Sequence, residues 1–450
     1  MRAIIEALVS NYMDRNYVLE ALVVDDAPLS NFDGLQIIPI DLLEQGARKT
    51  VQFMLDLLRS PNADPLYRCK LMVVGFAEIG KSTLIDCLFP LIGSLLFVEK
   101  NGGEWIPYMF ELQGNVLKRY QQDLSLSKMK KTTPLETIML TKEWKIETIQ
   151  DFDAVGIELT GPNGECYQIF ADDGPIDEWK QRFIDIHNRD RTHGIDIKEV
   201  VYDDDNTQKY FRDKAEDKSQ LQLSVWDFAG QHDYYNNHQH FLSARSLFLV
   251  LWNVKELYPG KDEDEDEARL STHGEPARKK GLASLKFWFS SLDFHLTKKK
   301  TVETDRDFYS IVVVGTHIDQ LSVEERGNFG ERKKEVETIA KSFGLKMSEY
   351  VEVSCVDELT DIPLLQTVVS AEVLQLKCMG ERIPKSYLTV ETLAKVLNAD
   401  AEHKKYPVVD IDRFVQKLNG NLDLVQRALT LLAMGENVPT LRMTKNCRVC

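Results

Sequence analysis

The run Gly75-Phe76-Ala77-Glu78-Ile79-Gly80-Lys81-Ser82-Thr83 has residue types and a spacing that suit phosphate binding. Glycine lets a backbone fold back so that successive N–H groups face anionic oxygens. Lys81 supplies a mobile cation for β- and γ-phosphates, and Ser82 places a hydroxyl on Mg²⁺. The apolar stretch Lys70–Val74 ahead of the loop reads as a buried strand, and Thr83–Leu88 behind it as the first turns of a helix. That helix aims its positive end at the same oxygens. A G-x-x-x-x-G-K-[ST] spacing between a strand and a helix implies a nucleoside triphosphate held by Gly75, Ala77, Glu78, Ile79, Gly80, Lys81, Ser82 and Thr83, and leaves the base open.

Two further strand ends carry matching chemistry. Leu221–Trp226 alternates like a strand and runs into Asp227-Phe228-Ala229-Gly230-Gln231. Asp227 is placed to support Mg²⁺ through water, Gly230 to approach the γ-phosphate through its N–H, and Gln231 to orient an attacking water. Tyr309–Gly315 is a second buried run, ending in Thr316-His317-Ile318-Asp319. A carboxylate at Asp319 accepts two hydrogen bonds from the N1–H and N2–H₂ of guanine. Adenine offers no such pair and would leave the carboxylate desolvated and unpaired. The strand Tyr350–Val353 then brings the Ser354-Cys355 backbone towards guanine O6.

The stretch Trp226–Val254, WDFAGQHDYYNNHQHFLSARSLFLVLWNV, resembles the Roc GTPase domain of Roco proteins, the group that includes the leucine-rich-repeat kinases. The phosphate loop, the T-H-x-D motif, the helix around Leu285-Lys286-Phe287-Trp288, and Ile383-Pro384-Lys385-Ser386-Tyr387, which resembles the opening of a COR domain, carry the likeness across roughly residues 66–420. The resemblance implies an α/β fold: a Ras-like P-loop GTPase with a doubly wound, mostly parallel sheet. It also implies a GTP/GDP switch of low intrinsic activity using Mg²⁺, protein effectors or regulators, and a homodimer formed through the COR-like segment. Arg191–Lys198 resembles the family's T-x-G-I-x-I segment, which makes Thr192 the switch threonine on Mg²⁺. Thr132 and Thr133 compete for that role. Thr192 is preferred because Gly194–Tyr202 then pairs as a hairpin with Leu221–Asp227. His317 stands where such GTPases often carry lysine, and Ala77 where Ras-like loops often carry glycine. The Ala77 methyl is expected to crowd Gln231 and slow hydrolysis; a GTP-bound scaffold with little turnover is the alternative reading. Arg245 is an arginine-finger candidate by position only.

The organisation around these motifs is uneven. Between Ser82 and Asp227 the chain runs far longer than a compact Ras-type domain needs, so residues about 100–190 read as an insertion before the switch threonine. Within it, Val155–Thr160 and Tyr167–Phe170 flank a Pro162-Asn163-Gly164 turn, a hairpin signal. Residues 1–66 read as a leucine-rich-repeat-like cap and exit helix, 67–379 as the GTPase, and 380–450 as a partial, α-rich COR-like segment. In the last, Leu388, Leu393, Val396, Leu397, Phe414 and Leu418 are expected to point inward. Asp262–Glu267, within an acidic loop at about 258–280, reads as a solvated charge run. With 71 acidic against 55 basic residues, the formal net charge of −16 disfavours nucleic acid as a partner. Seven cysteines without paired zinc spacing suit free thiols in a reducing, cytoplasmic setting. The longest apolar run, Leu88–Val98, holds Pro90 and Gly93 and is too short to span a bilayer. No kinase motif follows the COR-like segment, so the chain reads as a fragment or isoform of a longer protein.

Overall fold

The computed structural model describes residues 23–24, 27–28, 47–58, 60, 65–99, 106–121, 129, 132–151, 154–171, 176–188, 194–202, 221–230, 241–242, 245–257, 277–297, 309–356, 361–376, 378–399, 409–410, 415–416, 422–435 and 448–449. Along the chain, α1 (Ala47–Leu58) precedes β1 (Arg68–Val74) and α2 (Lys81–Leu88). There follow β2 (Leu91–Glu99), β3 (Ile106–Gln113), β4 (Val116–Tyr120), β5 (Glu136–Met139), β6 (Lys145–Asp151), β7 (Ala154–Thr160), β8 (Cys166–Ala171) and α3 (Asp177–Asn188). Next come β9 (Ile195–Tyr202), β10 (Leu221–Phe228), β11 (Ser246–Asn253), α4 (Ala277–Thr297) and β12 (Ser310–Thr316). The chain continues through α5 (Val323–Gly327), α6 (Phe329–Ser342), β13 (Glu349–Glu352), α7 (Ile362–Gln375), α8 (Lys385–Ala399) and α9 (Leu422–Gly435).

Strands β1, β10, β11 and β12 are near-continuous apolar runs, as strands covered on both faces must be. They form a six-stranded sheet in the order β9-β10-β1-β11-β12-β13, parallel except for the β9–β10 pair. One face packs on α2 and α7 through Leu84, Ile85, Ile362 and Leu365. The other packs on α4 and α6 through Leu285, Trp288, Phe289 and Val336. The chain order reverses beside β1, so loops at the carboxyl ends of β1, β10, β12 and β13 open on one crevice, the usual binding place in such sheets. The expected hairpin of β9 with β10 is present, with Ile195 opposite Phe228 and Tyr202 opposite Leu221.

The segment between α2 and β9 is a separate antiparallel body. Its seven strands lie in the order β5-β4-β3-β2-β8-β7-β6. The first of them begins at Leu91, ahead of the expected insertion boundary, and the Pro162-Asn163-Gly164 turn does join β7 to β8, with Gly164 at φ 90°. A core of its own, including Phe97, Phe110, Leu159 and Ile169, is closed by Trp179 and Phe183 of α3. Gly93 lies beneath Trp179, where an added Cβ would come within 3.4 Å of the indole.

At the opposite end of the chain, α1 packs against α8 and α9. Phe53 meets Tyr387 edge-on at 6.0 Å, and Asp56 accepts from the Tyr387 hydroxyl at 3.1 Å and from Arg427 at 2.9 Å. The contacts of this expected cap therefore run to the C-terminal segment. Pro65–Leu66 pairs antiparallel with Glu381–Arg382, tying the segment ahead of β1 to the one ahead of α8. On α8 the buried face is Tyr387, Val390 and Glu391, whereas Val396, expected inward, is 59% exposed. Val396 falls off the stripe that i, i+3 and i+4 spacing builds from Tyr387.

Candidate functional site

The phosphate loop leaves β1 and enters α2 in a conformation that its glycines permit. Gly80 caps α2 in the left-handed region at φ 85°, and Glu78, which has a side chain, also sits at φ 65°. A non-glycine residue held there is strained by about 1 kcal/mol or more, a cost typical of ligand-clamping loops. At Gly75 an added Cβ would approach the Leu251 carbonyl to 2.9 Å, so β11 closes tightly on the loop. Lys81 is buried, and its ammonium donates to the carbonyls of Gly75 at 3.1 Å and Phe76 at 2.7 Å. Burial pulls the Lys81 amine down to about 8, with Asp227 acting in the opposite direction.

Register brings Asp227 to the same place. It lies opposite Val73 in the parallel β10–β1 ladder, two residues before Gly75. Ser82 Oγ donates to Asp227 Oδ2, so the hydroxyl and the carboxylate expected at a metal converge. Gly230 follows, pressed so closely on the phosphate loop that an added Cβ would overlap Ala77 N and the Phe76 carbonyl. Thr192 and Gln231 lie outside the described residues, as does the acidic run Asp262–Glu267. Thr132, the competing threonine, sits in a turn between β4 and β5 of the inserted sheet.

The third and fourth loops reach the other side of the crevice. Thr316 Oγ1 lies 3.0 Å from the Ile79 carbonyl and 3.2 Å from that of Trp252, linking the end of β12 to the phosphate loop and β11. His317 adopts φ 64°, its ring contacts Thr316 Oγ1 at 3.0 Å, and a Cβ added at Gly80 would meet that ring at 3.9 Å. Burial lowers the His317 pKa, against the pull of Asp319, so the ring is neutral near pH 7. Ser354 Oγ donates to Asp319 Oδ1 at 3.0 Å, and the Cys355 carbonyl faces Cys87 Sγ of α2 at 3.9 Å. The structure thus gathers Lys81, Ser82, Asp227, Gly230, Thr316, His317, Asp319, Ser354 and Cys355 around one crevice.

Arg245 is not part of it. It precedes β11 at the amino end of the strand, opposite the crevice, and forms a buried ion pair with Glu381. The finger candidate is therefore corrected to a structural ion pair between the sheet and the C-terminal segment. Other charges near the site gave no sequence signal. Asp86 on α2 is buried and paired with Arg182 of α3, with Lys198 Nζ of β9 at 3.8 Å. Arg332 on α6 is buried against Glu352. Each of these looks, in its local run, like an ordinary surface charge.

A parallel sheet of this order, a phosphate loop after β1, an aspartate after β10 and a T-H-x-D loop after β12 define a P-loop GTPase fold. A family model described as "Ras of Complex, Roc, domain of DAPkinase" matches residues 180–270. The chain is 29% identical over 199 residues to a probable serine/threonine-protein kinase pats1 of Dictyostelium discoideum, covering 44% of this chain and 5% of that protein. It is 22% identical over 363 residues to a probable serine/threonine-protein kinase roco5 of the same organism, covering 80% and 9%. It therefore spans less than a tenth of the length of these relatives. Among solved structures, Methanosarcina barkeri Roco2 RocCORdC bound to GDP aligns with 83% of this chain and 68% of that one, at 15% identity and a TM-score of 0.39. The PH domain of human oxysterol binding protein-related protein 11 aligns with 22% of this chain and 81% of that one, at 16% identity and a TM-score of 0.19. Residues 180–270 thus match the Roc model, and the chain is similar over part of its length to kinases of the Roco group.

Proposed function

We propose that this domain is a guanine-nucleotide switch that binds GTP and hydrolyses it slowly to GDP and phosphate. The observation that carries the reading is the placement of Asp319. Its carboxylate accepts from Ser354, and its neighbour Thr316 reaches the Ile79 carbonyl of the loop that carries Lys81 and Ser82. Lys81 exchanges its two carbonyl partners for phosphate oxygens. Ser82 and Asp227, a hydroxyl and a carboxylate in contact, suit a hard cation such as Mg²⁺, with Thr192 as a further ligand. Among the described residues no three His, Cys, Asp or Glu side chains converge. The ion's remaining ligands are then phosphate oxygens and water, as is usual for Mg²⁺. Gln231 orients the attacking water and Gly230 offers its N–H to the γ-phosphate. Turnover without a partner is on the order of 10⁻⁴ to 10⁻² s⁻¹, the range of unaided switch GTPases.

A cytoplasmic signalling role, protein effectors or regulators, and a homodimer through the COR-like segment accompany this reading. No helix among the described residues is long and apolar enough to cross a membrane. Nucleotide content of the purified chain, measured by chromatography with and without EDTA, tests the proposal, followed by competition of GDP against ADP. Bound guanine nucleotide released by EDTA, and a guanine preference abolished by Asp319→Ala, are expected. Equal competition by ADP would falsify the base assignment. Single-turnover phosphate release no faster than in solution, unchanged by Gln231→Leu, would remove hydrolysis from the function.

A further inference from the structure

Residues 331–334 read Glu-Arg-Lys-Lys, yet one of these four charges is buried. Arg332 is 2% exposed, and buried arginine needs full pairing. Its Nε and Nη2 donate to the two oxygens of Glu352, each at 2.7 Å, in the planar fork that guanidinium and carboxylate favour. Tyr350 adds its hydroxyl to Glu352 Oε1 at 2.6 Å. Arg332 Nη1 donates to the Glu325 carbonyl, and Nη2 reaches the Arg326 carbonyl at 3.4 Å. One side chain thereby joins three elements: its own α6, the last turn of α5 and the end of β13.

Both attachments lead back to the base-reading loop. Glu352 ends β13 two residues before Ser354, whose hydroxyl holds Asp319 Oδ1. On the other side, α5 begins just after Asp319 and is fixed by a capping box. The Glu325 N–H donates to Ser322 Oγ at 3.2 Å, and Ser322 N–H to Glu325 Oε2 at 2.7 Å. Arg326 returns from α5 to the Asp319 carbonyl at 3.3 Å. Asp319, α5, Arg332 and Glu352 are joined by hydrogen bonds, and the two residues of backbone from Glu352 to Ser354 close the circuit at Asp319 Oδ1. Gly315 makes room for it, because an added Cβ there would come within 3.0 Å of Glu352 Cγ and 3.1 Å of the Tyr350 oxygen.

Stability alone is a poor reason for such a pair, since well-packed apolar replacements of buried ion pairs are often neutral or stabilising. A planar, bidentate contact does fix direction and distance. We propose that Arg332 and Glu352 are the positioning residues for purine selection, holding Asp319 and Ser354 in the mutual register that reads the guanine edge. This deepens the guanine reading of Asp319 and rests on it.

Inosine diphosphate is the probe, because it keeps the N1–H of guanine and lacks the 2-amino group. Affinities of the full chain for GDP, IDP and ADP are measured by competition against a fluorescent GDP. Arg332→Lys, Glu352→Gln and the paired replacement Arg332→Met with Glu352→Leu are compared with Asp319→Ala, each beside its melting temperature. Arg332→Lys and Glu352→Gln are expected to shrink the preference for GDP over IDP about tenfold, the scale on which outer partners act on a ligand site. The paired apolar variant is expected to regain thermal stability and not the preference. A role confined to folding would restore both together. Preference retained in Arg332→Lys and Glu352→Gln, while Asp319→Ala loses it, overturns this inference alone. A wild-type chain without guanine preference, or one whose preference survives Asp319→Ala, overturns the base reading as well.

Discussion

Lys81 is desolvated before any phosphate arrives. Its folded-state pKa of about 8 lies below its ordinary 10.5, so the unfolded chain binds more protons between those values. Stability of the nucleotide-free chain therefore rises with pH across that window. Nucleotide affinity moves the opposite way, because the ligand takes the ammonium form and the empty site loses that proton above about pH 8. Affinity is expected to be level near pH 7 and to fall towards a limit of about tenfold per pH unit above the pKa. Titrations from pH 7 to 9 measure it; Lys81→Met should bind weakly with no such slope, and a wild-type profile equally flat would contradict the assignment. Gly230 makes a second residue-scale test. A methyl at this position meets backbone atoms of Ala77 and Phe76, which have no rotamer to escape into. Gly230→Ala should keep GDP affinity within a few-fold and slow single-turnover phosphate release about a hundredfold, the usual cost of displacing a donor aimed at developing charge. Unchanged release would mean that this N–H is not used.

At the scale of elements, the contact of α1 with α8 and α9 turns on one carboxylate. Asp56 is buried and serves both Tyr387 and Arg427. Asp56→Ala leaves the Arg427 guanidinium without that partner and should cost this module about 3 kcal/mol. Tyr387→Phe, which removes one hydroxyl, should cost about 1 kcal/mol. Urea unfolding measures both, and equal losses would show that the ion pair contributes nothing beyond the phenol. Elements differed in how far they could be read from sequence. β1, β10, β11 and β12 are legible because burial on both faces leaves uninterrupted apolar runs, and the phosphate loop because its glycines mark positions where the backbone must turn. The β7–β8 hairpin is legible from its Pro162-Asn163-Gly164 turn. The rest of the inserted sheet is not: β6, Lys-Ile-Glu-Thr-Ile-Gln-Asp, leaves much of its length in water, and β2 finds β8 only across the whole insertion. The motif residues of the crevice announce themselves by type and spacing. Arg332, Glu352 and Asp86 do not, because their partners are distant in sequence and burial of a single charge leaves no local pattern.

In the whole molecule, the inserted body is fastened to the one helix that carries Lys81 and Ser82 at its other end. The Gln113 side chain donates to the Cys87 carbonyl at 2.9 Å and the Gly114 N–H to the Asp86 carbonyl at 3.2 Å, satisfying carbonyls that the end of α2 leaves open. Val116 of β4 enters the core shared by α2 and α7. Asp86 then lies between Arg182 of the insertion and Lys198 of β9, the strand that follows Thr192 in sequence. The phosphate-loop helix, the inserted body and β9 thus meet at one buried carboxylate. Removing Arg182 takes one ion pair from that carboxylate, and the lost attraction acts on α2 as a unit, because a helix transmits a tilt along its length. Arg182→Met should lower the melting temperature and speed GDP dissociation about fivefold or more, the lower end of coupling between sites. Arg182→Lys should recover part of both. Release of a fluorescent GDP from the full chain measures the rate. A melting temperature that falls while dissociation stays at the wild-type rate would mean that the insertion stabilises α2 without setting how long it holds the nucleotide.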